Sequence, residues 1–227
     1  DALPISVIDL KLQKEIQKGR IAGPFASPPF NNFVVSPLGV VPKKIPGQFR
    51  VIHHESYPFG QSVNDGIPKE LTTVKYATIQ NAVQHIKAFA SPCYLAKTDI
   101  QDAFWIIPIH PSSHHLTGIF WKGQYYYYKS LPMGSSISCS LFERFSCALE
   151  WIAQNKLGIT SSVHILDDFL FINQTFSLCQ ENLNSFQAMC EVLGVPLAPD
   201  KTVGPTTCLP FVGIELDTVS SDRKSTR

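Results

Sequence analysis

The sequence predicts an α+β fold centred on a ferredoxin-like split βαβ antiparallel sheet with helices packed on one face. Three observations predict it. Short runs of β-branched and aromatic residues alternate with two longer stretches of helical periodicity. Their order is strand, helix, strand, tight turn, strand, helix, strand. The turn, in "SSVHILDDFLFIN", carries two adjacent aspartates between apolar runs. With 227 residues, 44% hydrophobic and 16% charged, the chain can bury a substantial core and is too apolar for a disordered tail. No apolar run approaches a membrane span and no secretory leader opens the chain, so an intracellular protein, cytoplasmic or nuclear, with no membrane partner is expected. A net charge of +1 leaves nucleic-acid binding to local patches.

The elements follow in order. "PCYLAKTD" reads as a short buried strand ending at Asp99, and "DAFWIIPIHP" as an extended apolar segment closed by Pro108 and Pro111. "GIFWKGQYYYYKSLP" is a hairpin turning at Lys122 and Gly123, and strand alternation puts two of Tyr125 to Tyr128 in the core. From Ser136 to Asn155 the apolar residues Ile137, Leu141, Phe145, Ala148 and Ile152 mark one helix face. The "DD" hairpin follows. A second helix in "SLCQENLNSFQAMCEVLGV" has Leu183, Phe186, Cys190 and Leu193 on one face and stops at Gly194, and "PLAPDKTVG" and "LPFVGIELDT" supply further strands.

Six cysteines without a CxxC pair or framework spacing read as reduced core thiols, and His110 and His114, in a polar "HPSSHH" loop, lack the paired cysteines of a zinc motif. The ends are unusual. Asp1 to Ile5, "DALPI", and Asp222 to Arg227, "DRKSTR", back-translate as GAC GCT CTT CCG ATC and GAT CGG AAG AGC ACA CGT, resembling sequencing-library adapters. Residues 1–5 and 222–227 are therefore set aside as adapter-derived tails, with the natural gene expected to continue past both.

An aspartate pair at a turn has an ordinary explanation, because aspartate bonds nearby backbone. The predicted topology supplies a reason to go further: the strand ending at Asp99 lies beside the central hairpin, so Asp99 meets Asp167 and Asp168. Clustered carboxylates repel unless a cation holds them, and oxygen-only ligands suit Mg²⁺ or Mn²⁺. Two such ions would serve in-line phosphoryl transfer, which makes nucleotidyl transfer the implied chemistry.

"TDIQDAF", "LPMGSSISCSLFERF", "ILDDFLF", "LGVPLAPDKT" and "LPFVGIEL" occur in the order of the palm motifs of retroelement reverse transcriptases, and the chain resembles that family over residues 25–217. The wording of "RVIHHESYP…SVNDGI" and "LDDFLF" is most similar to the DIRS-like and gypsy-like retrotransposon branch. The resemblance implies a fingers-like region at 6–92 and a palm at 93–217, and an RNA-directed DNA polymerase that adds deoxynucleotides to a primer 3′ end with two Mg²⁺ or Mn²⁺ ions. It implies that Asp99, Asp167 and Asp168 are the catalytic, metal-binding carboxylates, with Asp168 contributing least.

By the same resemblance Lys43, Lys44 and Arg50 grip the triphosphate, and Gln101, Asp102 and Ala103 offer it backbone. Phe104 is the steric gate against a ribose 2′-hydroxyl, and Met133 and Gly134 border the nucleotide or template. Lys201 assists pyrophosphate departure, and Phe211 and Gly213 lie at the primer end. Each has a plainer alternative: core packing for Phe104, a solvated basic turn for "PKK", a surface charge for Lys201. Ile165 and Met133 depart from the aromatic ring and the glutamine found in much of the family.

The implied partners are an RNA or DNA template with its primer, deoxynucleoside triphosphates, and the rest of a polyprotein, namely thumb, RNase H and a recombinase or integrase. Without a thumb the isolated chain is expected to extend primers poorly. The alternative function is a truncated or domesticated fragment that binds nucleic acid without polymerising.

Overall fold

A computed structural model describes residues 2–43, 46–89, 92–219 and 223–225, with backbone alone at 2–4 and 223–225. Along the chain run α1 (Ala2–Gln17), β1 (Ile21–Phe25), β2 (Leu38–Pro42), β3 (Phe49–His53), α2 (Lys69–Thr72), α3 (Ile79–Ala88), β4 (Tyr94–Asp99), β5 (Gly118–Trp121), β6 (Gln124–Tyr128), α4 (Ser138–Lys156), β7 (Ser162–Ile165), β8 (Asp168–Asn173), α5 (Phe176–Val192), β9 (Val203–Thr206), β10 (Cys208–Phe211), β11 (Ile214–Asp217) and β12 (Arg223–Ser225). They form two compact units, Asp1–Thr73 with Phe104–Ser140, and Val74–Ala103 with Leu141–Arg227. Compactness therefore divides the chain discontinuously, where the fingers and palm expected from sequence are continuous segments.

In the first unit a sheet of order β1-β6-β5 carries α1. Ile8 and Leu12, one helical turn apart, pack with Ile21, Ile119 and Tyr128. This helix is absent from the elements expected from the sequence, and it begins inside the stretch set aside as a tail; Asp1, Asp222, Thr226 and Arg227 lie outside the described residues. The tyrosine run divides by alternation as expected. Tyr126 and Tyr128 face the core, while Tyr125 and Tyr127 meet Phe33, Phe25 and Phe30. Between the units' strands, "DAFWIIPIHP" is not extended. It contains a 3-10 turn at Ala103–Ile106 and leads into a second at Pro111–Leu116, started by Pro111 and by the ring of His110, which accepts from Ser112 N–H.

The second unit holds an antiparallel sheet of order β7-β8-β4-β9. Counting only its own strands in chain order, that is 2-3-1-4, the order of the split βαβ fold. Side chains alternate across it. Phe169 and Phe171 meet Phe186 of α5 on one face, and His164, opposite Phe169, reaches Glu150 of α4 on the same face. The two crossover helices thus cover one face, as the sequence predicts. The other face carries Leu95, Leu170 and Ile172, packed with Ala82 and Val83 of α3 and with Leu209, Phe211 and Leu216 of the β10–β11 hairpin.

The buried stripe of α4 differs from the one periodicity selects. Ile137, Leu141, Phe145 and Ile152 are half-buried and Ala148 is exposed, whereas Phe142, Leu149 and Ala153 are buried with Ser138 and Ser146. Two serines in the buried row hide it from a count of apolar residues. In α5, Leu183, Phe186 and Cys190 are buried as expected, joined by Cys179, but Leu193 is exposed at the C-cap just before Gly194, whose φ is 71°. The cysteines are free; Cys93, Cys179 and Cys190 are core thiols, but Cys147 and Cys208 are exposed. Among the described residues no helix is long and apolar enough to cross a membrane.

The two stripes of α4 separate experimentally. Leu149→Ala should cost about 2–5 kcal/mol in chemical unfolding, and Ile152→Ala less than half as much. The reverse ranking would restore the stripe read from periodicity.

Candidate active site

The register of β4 against β8 sets the site. Leu95 pairs with Ile172, Lys97 with Leu170 and Thr98 with Phe169, so the last pair of the ladder is Asp99 with Asp168. Both side chains share the sheet face opposite α4 and α5. On the other side of β8, Ile165 pairs with Asp168, leaving Leu166 and Asp167 as the turn. The tip is therefore Leu166 and Asp167, one residue earlier than the Asp167–Asp168 placement read from sequence, and Asp168 is already strand. Leu166 has φ 54°, a left-handed conformation that favours glycine or asparagine. Paired strands on both sides hold it there, and backbone strain of this kind concentrates at functional sites. Asp167 is also tied through its carbonyl, which accepts from Ile100 N–H at 2.9 Å.

Asp99, Asp167 and Asp168 each offer an oxygen within 4.8 Å of the others. Asp99 is buried and the other two are half-buried. Burial first, then the charge of Asp99, raises the Asp167 carboxyl above its ordinary value. Burial, then Asp99, then Asp167 push Asp168 up to about 6, against a partial offset from Lys97 and Lys201. The cluster is short of positive charge. Lys201 Nζ donates to Asp99 Oδ1 at 2.8 Å, and although burial opposes its charge, that bond and the fields of the three carboxylates raise its pKa. Lys201 is thus more than a solvated charge: it neutralises part of the acidic cluster. An oxygen-only donor set held this close, with two carboxyls pushed toward protonation, has the chemistry of a hard divalent-cation site.

The remaining expected residues are placed as follows. Lys43 and Arg50 are exposed on the β2–β3 hairpin, where Val41 pairs with Arg50 and Lys43 N–H donates to Gln48 O, so the two basic side chains share one face. Lys44 lies outside the described residues. Gln101 is exposed, its N–H bonded to Pro196 O; Asp102 has φ 58°, Ala103 starts a 3-10 turn, and Phe104 is half-buried. Met133 is exposed. A side chain on Gly134 would meet His53 O, so the close backbone approach this glycine permits is to the first unit's own chain. Asn64 reinforces that packing by donating to Gly134 O.

One residue needs correction. Phe211 is fully buried in the second unit's core, so it supports the β10–β11 hairpin and presents no face to a primer. Gly213 does stand at the hairpin tip, with φ 78°, but beside Val212 at φ 48°. A β-branched residue in that region is an outlier, and sequence gave no sign of it. Lys97 was also missed; its signal is the period-2 position before Asp99 on the same strand face.

Residues 41–216 match the family described as reverse transcriptase (RNA-dependent DNA polymerase). "Protein P" of duck hepatitis B virus (strain China) is 30% identical over 127 residues, covering 52% of this chain and 15% of that protein. "Protein P" of heron hepatitis B virus is 28% identical over 123 residues, again covering 52% and 15%. The chain thus spans 15% of the length of these relatives. The foamy viral protease-reverse transcriptase in complex with dsDNA has a TM-score of 0.76 at 20% identity, covering 99% of this chain and 42% of that one. The same protein in complex with RNA/DNA hybrid gives 0.75 at 18%, covering 94% and 26%. These likenesses establish the fingers-and-palm fold, and with a family match running through β4, the aspartate turn and β10, the chain belongs to the reverse transcriptase (RNA-dependent DNA polymerase) family.

Proposed function

We propose that this chain is the fingers and palm of an RNA-directed DNA polymerase, adding deoxynucleotides to a primer 3′ end, from a retrotransposon of the DIRS-like or gypsy-like branch. The observation that carries the reading is the convergence of Asp99, Asp167 and Asp168 oxygens within 4.8 Å on the sheet face opposite the crossover helices. The fold likeness to foamy viral enzymes solved with dsDNA and RNA/DNA hybrid supports a primer–template duplex as partner. Deoxynucleoside triphosphates, a thumb, RNase H and a recombinase or integrase in the parent polyprotein, and an intracellular site of action belong to the same proposal.

Asp99 and Asp167 would hold two Mg²⁺ or Mn²⁺ ions, with Asp168 contributing less. Such ions supply charge stabilisation for an in-line displacement at the α-phosphate. Lys201, bonded to Asp99 Oδ1, orients that carboxylate and assists pyrophosphate departure. Lys43, Lys44 and Arg50 bind the triphosphate, Arg50 as a planar fork and the lysines as point charges. Gln101, Asp102 and Ala103 present backbone to it, Met133 borders the nucleotide or template, Gly134 lets its loop pack on His53 beside it, and Gly213 lets the hairpin tip approach the primer. Phe104 excludes the 2′-hydroxyl of a ribonucleotide. Sequencing the genomic locus on both sides tests the parent polyprotein: an in-frame thumb, RNase H and recombinase support an intact one, and early stop codons indicate a relic.

Asp167→Asn keeps the shape but removes the charge that holds a cation. It should abolish primer extension in a chain lengthened to include the thumb and weaken Mn²⁺ binding in the present chain. Undiminished extension returns the aspartates to a turn-forming role.

The metal-free chain should lose stability as pH rises. The folded state keeps Asp168 protonated to about 6, against 3.8 ordinarily, so it binds more protons than the unfolded state between those values. Stability should therefore fall from pH 3.8 to 6 and stay reduced above, and Asp168→Asn should flatten that fall. Thermal unfolding across this range, with and without Mn²⁺, is the measurement; a rise through the window would contradict the burial and repulsion described.

Two substitutions test nucleotide selection in the longer, active enzyme. Phe104→Ala should raise ribonucleotide relative to deoxyribonucleotide incorporation, and unchanged selectivity would leave Phe104 a packing residue. Arg50→Ala should raise the KM for nucleotides while duplex affinity stays nearly constant; loss of duplex binding with normal nucleotide affinity would refute the triphosphate role.

A further inference from the structure

The same hairpin that carries the aspartates carries a second cluster on its opposite face. His164, on β7, is 3% exposed and stacks on Phe169 at 5.3 Å between ring centroids. Its Nδ1 lies 2.9 Å from Glu150 Oε2, which assigns that nitrogen the hydrogen and fixes the ring. Its other nitrogen, Nε2, faces two groups from α4: Glu143 Oε1 at 3.3 Å and Cys147 Sγ at 3.7 Å. Glu143 and Cys147 are four apart on the helix and therefore on one side of it. Glu143 is 7% exposed, and its Oε2 is buried without a hydrogen-bond partner.

The sulfur distance fits a weak hydrogen bond and the carboxylate distance is long for one, while both suit coordination. A charged N–H to carboxylate bond is about 2.7–2.9 Å. A zinc ion bound at about 2.3 Å by sulfur and about 2.0–2.1 Å by nitrogen and oxygen, with tetrahedral angles, separates S from N by about 3.6 Å and N from O by about 3.3 Å. Both separations are those found around Nε2. The carboxylate on the far ring nitrogen is the usual support of a metal-bound histidine, because it fixes the tautomer and strengthens the ligand. Cys147 is exposed, so water can reach a fourth position.

We propose that Glu143, Cys147 and His164 form a zinc-type metal site, separate from the aspartate site, that ties α4 to β7. The donors are one carboxylate oxygen, one thiolate and one imidazole nitrogen, with water as the fourth ligand and Glu150 orienting the ring. A borderline cation such as Zn²⁺ takes this set, whereas Mg²⁺ takes the all-oxygen set around Asp99. Binding replaces the Cys147 thiol proton with the metal and releases that proton to solvent.

The test uses Co²⁺ and Zn²⁺ on the metal-free 227-residue chain. Co²⁺ should give a sulfur-to-cobalt charge-transfer band that Zn²⁺ competes away, and Zn²⁺ should raise the unfolding temperature. Cys147→Ser, at an exposed position that should preserve the fold, should remove the band and weaken Zn²⁺ binding at least about 10-fold; Glu150→Gln should weaken it by about 10–100-fold. Asp167→Asn should leave the band unchanged. No band in the parent chain, a band that survives Cys147→Ser, or one lost in Asp167→Asn would each overturn the site, leaving His164 as an imidazolium between two carboxylates.

Discussion

The antiparallel pairing of β4 with β8 is the constraint on which both clusters depend. It sets two aspartates directly opposite each other at the end of a ladder, an arrangement that electrostatics alone disfavours. The apolar rows behind it supply the compensation. Leu95 with Ile172, and Phe169 and Phe171 against Phe186, fix which residues face which side. A slip of one residue would turn every one of these side chains to the wrong face. The repulsion is thus held by packing on both faces of the sheet, and an unmet demand for positive charge is built into the fold.

The hairpin formed by β7 and β8 sorts its polar chemistry by face. Asp168 points with Leu170 and Ile172, and His164 with Phe169, so hard oxygen donors collect on one side and mixed sulfur, nitrogen and oxygen donors on the other. Lys201 partly neutralises the first group, and Glu150 orients the second. Separation by the thickness of a strand would keep one set of donors from competing for a cation held by the other.

Much of this was readable in the linear chain. The order of strands and helices, the Asp99, Asp167 and Asp168 convergence and the stop at Gly194 follow from pattern, because each rests on local periodicity or on one topology rule. What escaped depended on neighbours that sequence does not show. The stripe of α4 was misplaced because Ser138 and Ser146 are buried polar residues, and Leu166 and Val212 gave no glycine or asparagine to mark their left-handed backbone. Gly134 read as room for a ligand, yet the space is filled by His53 O. Phe211 read as part of a grip, but its ring belongs to the core. The division into units was hidden for a related reason: β1 pairs with β6, far along the chain, and no local pattern announces such a partner.

That long-range pairing has a consequence for the order in which the protein can form as it is made. Tyr128, the partner of Ile21, leaves the ribosome only after β4 has done so, and β4 in turn waits for β8. For that interval the nascent chain displays two strands, one carrying Leu95 and Ala96, whose edges have no mate. Unpaired apolar strands are the species that aggregate or recruit chaperones during synthesis. A nascent chain interrupted between Asp99 and Tyr128 would carry both strands unpaired, and one interrupted between Tyr128 and Asp168 a finished first sheet and a second one still open, so the earlier window is the point of greater vulnerability in its biogenesis.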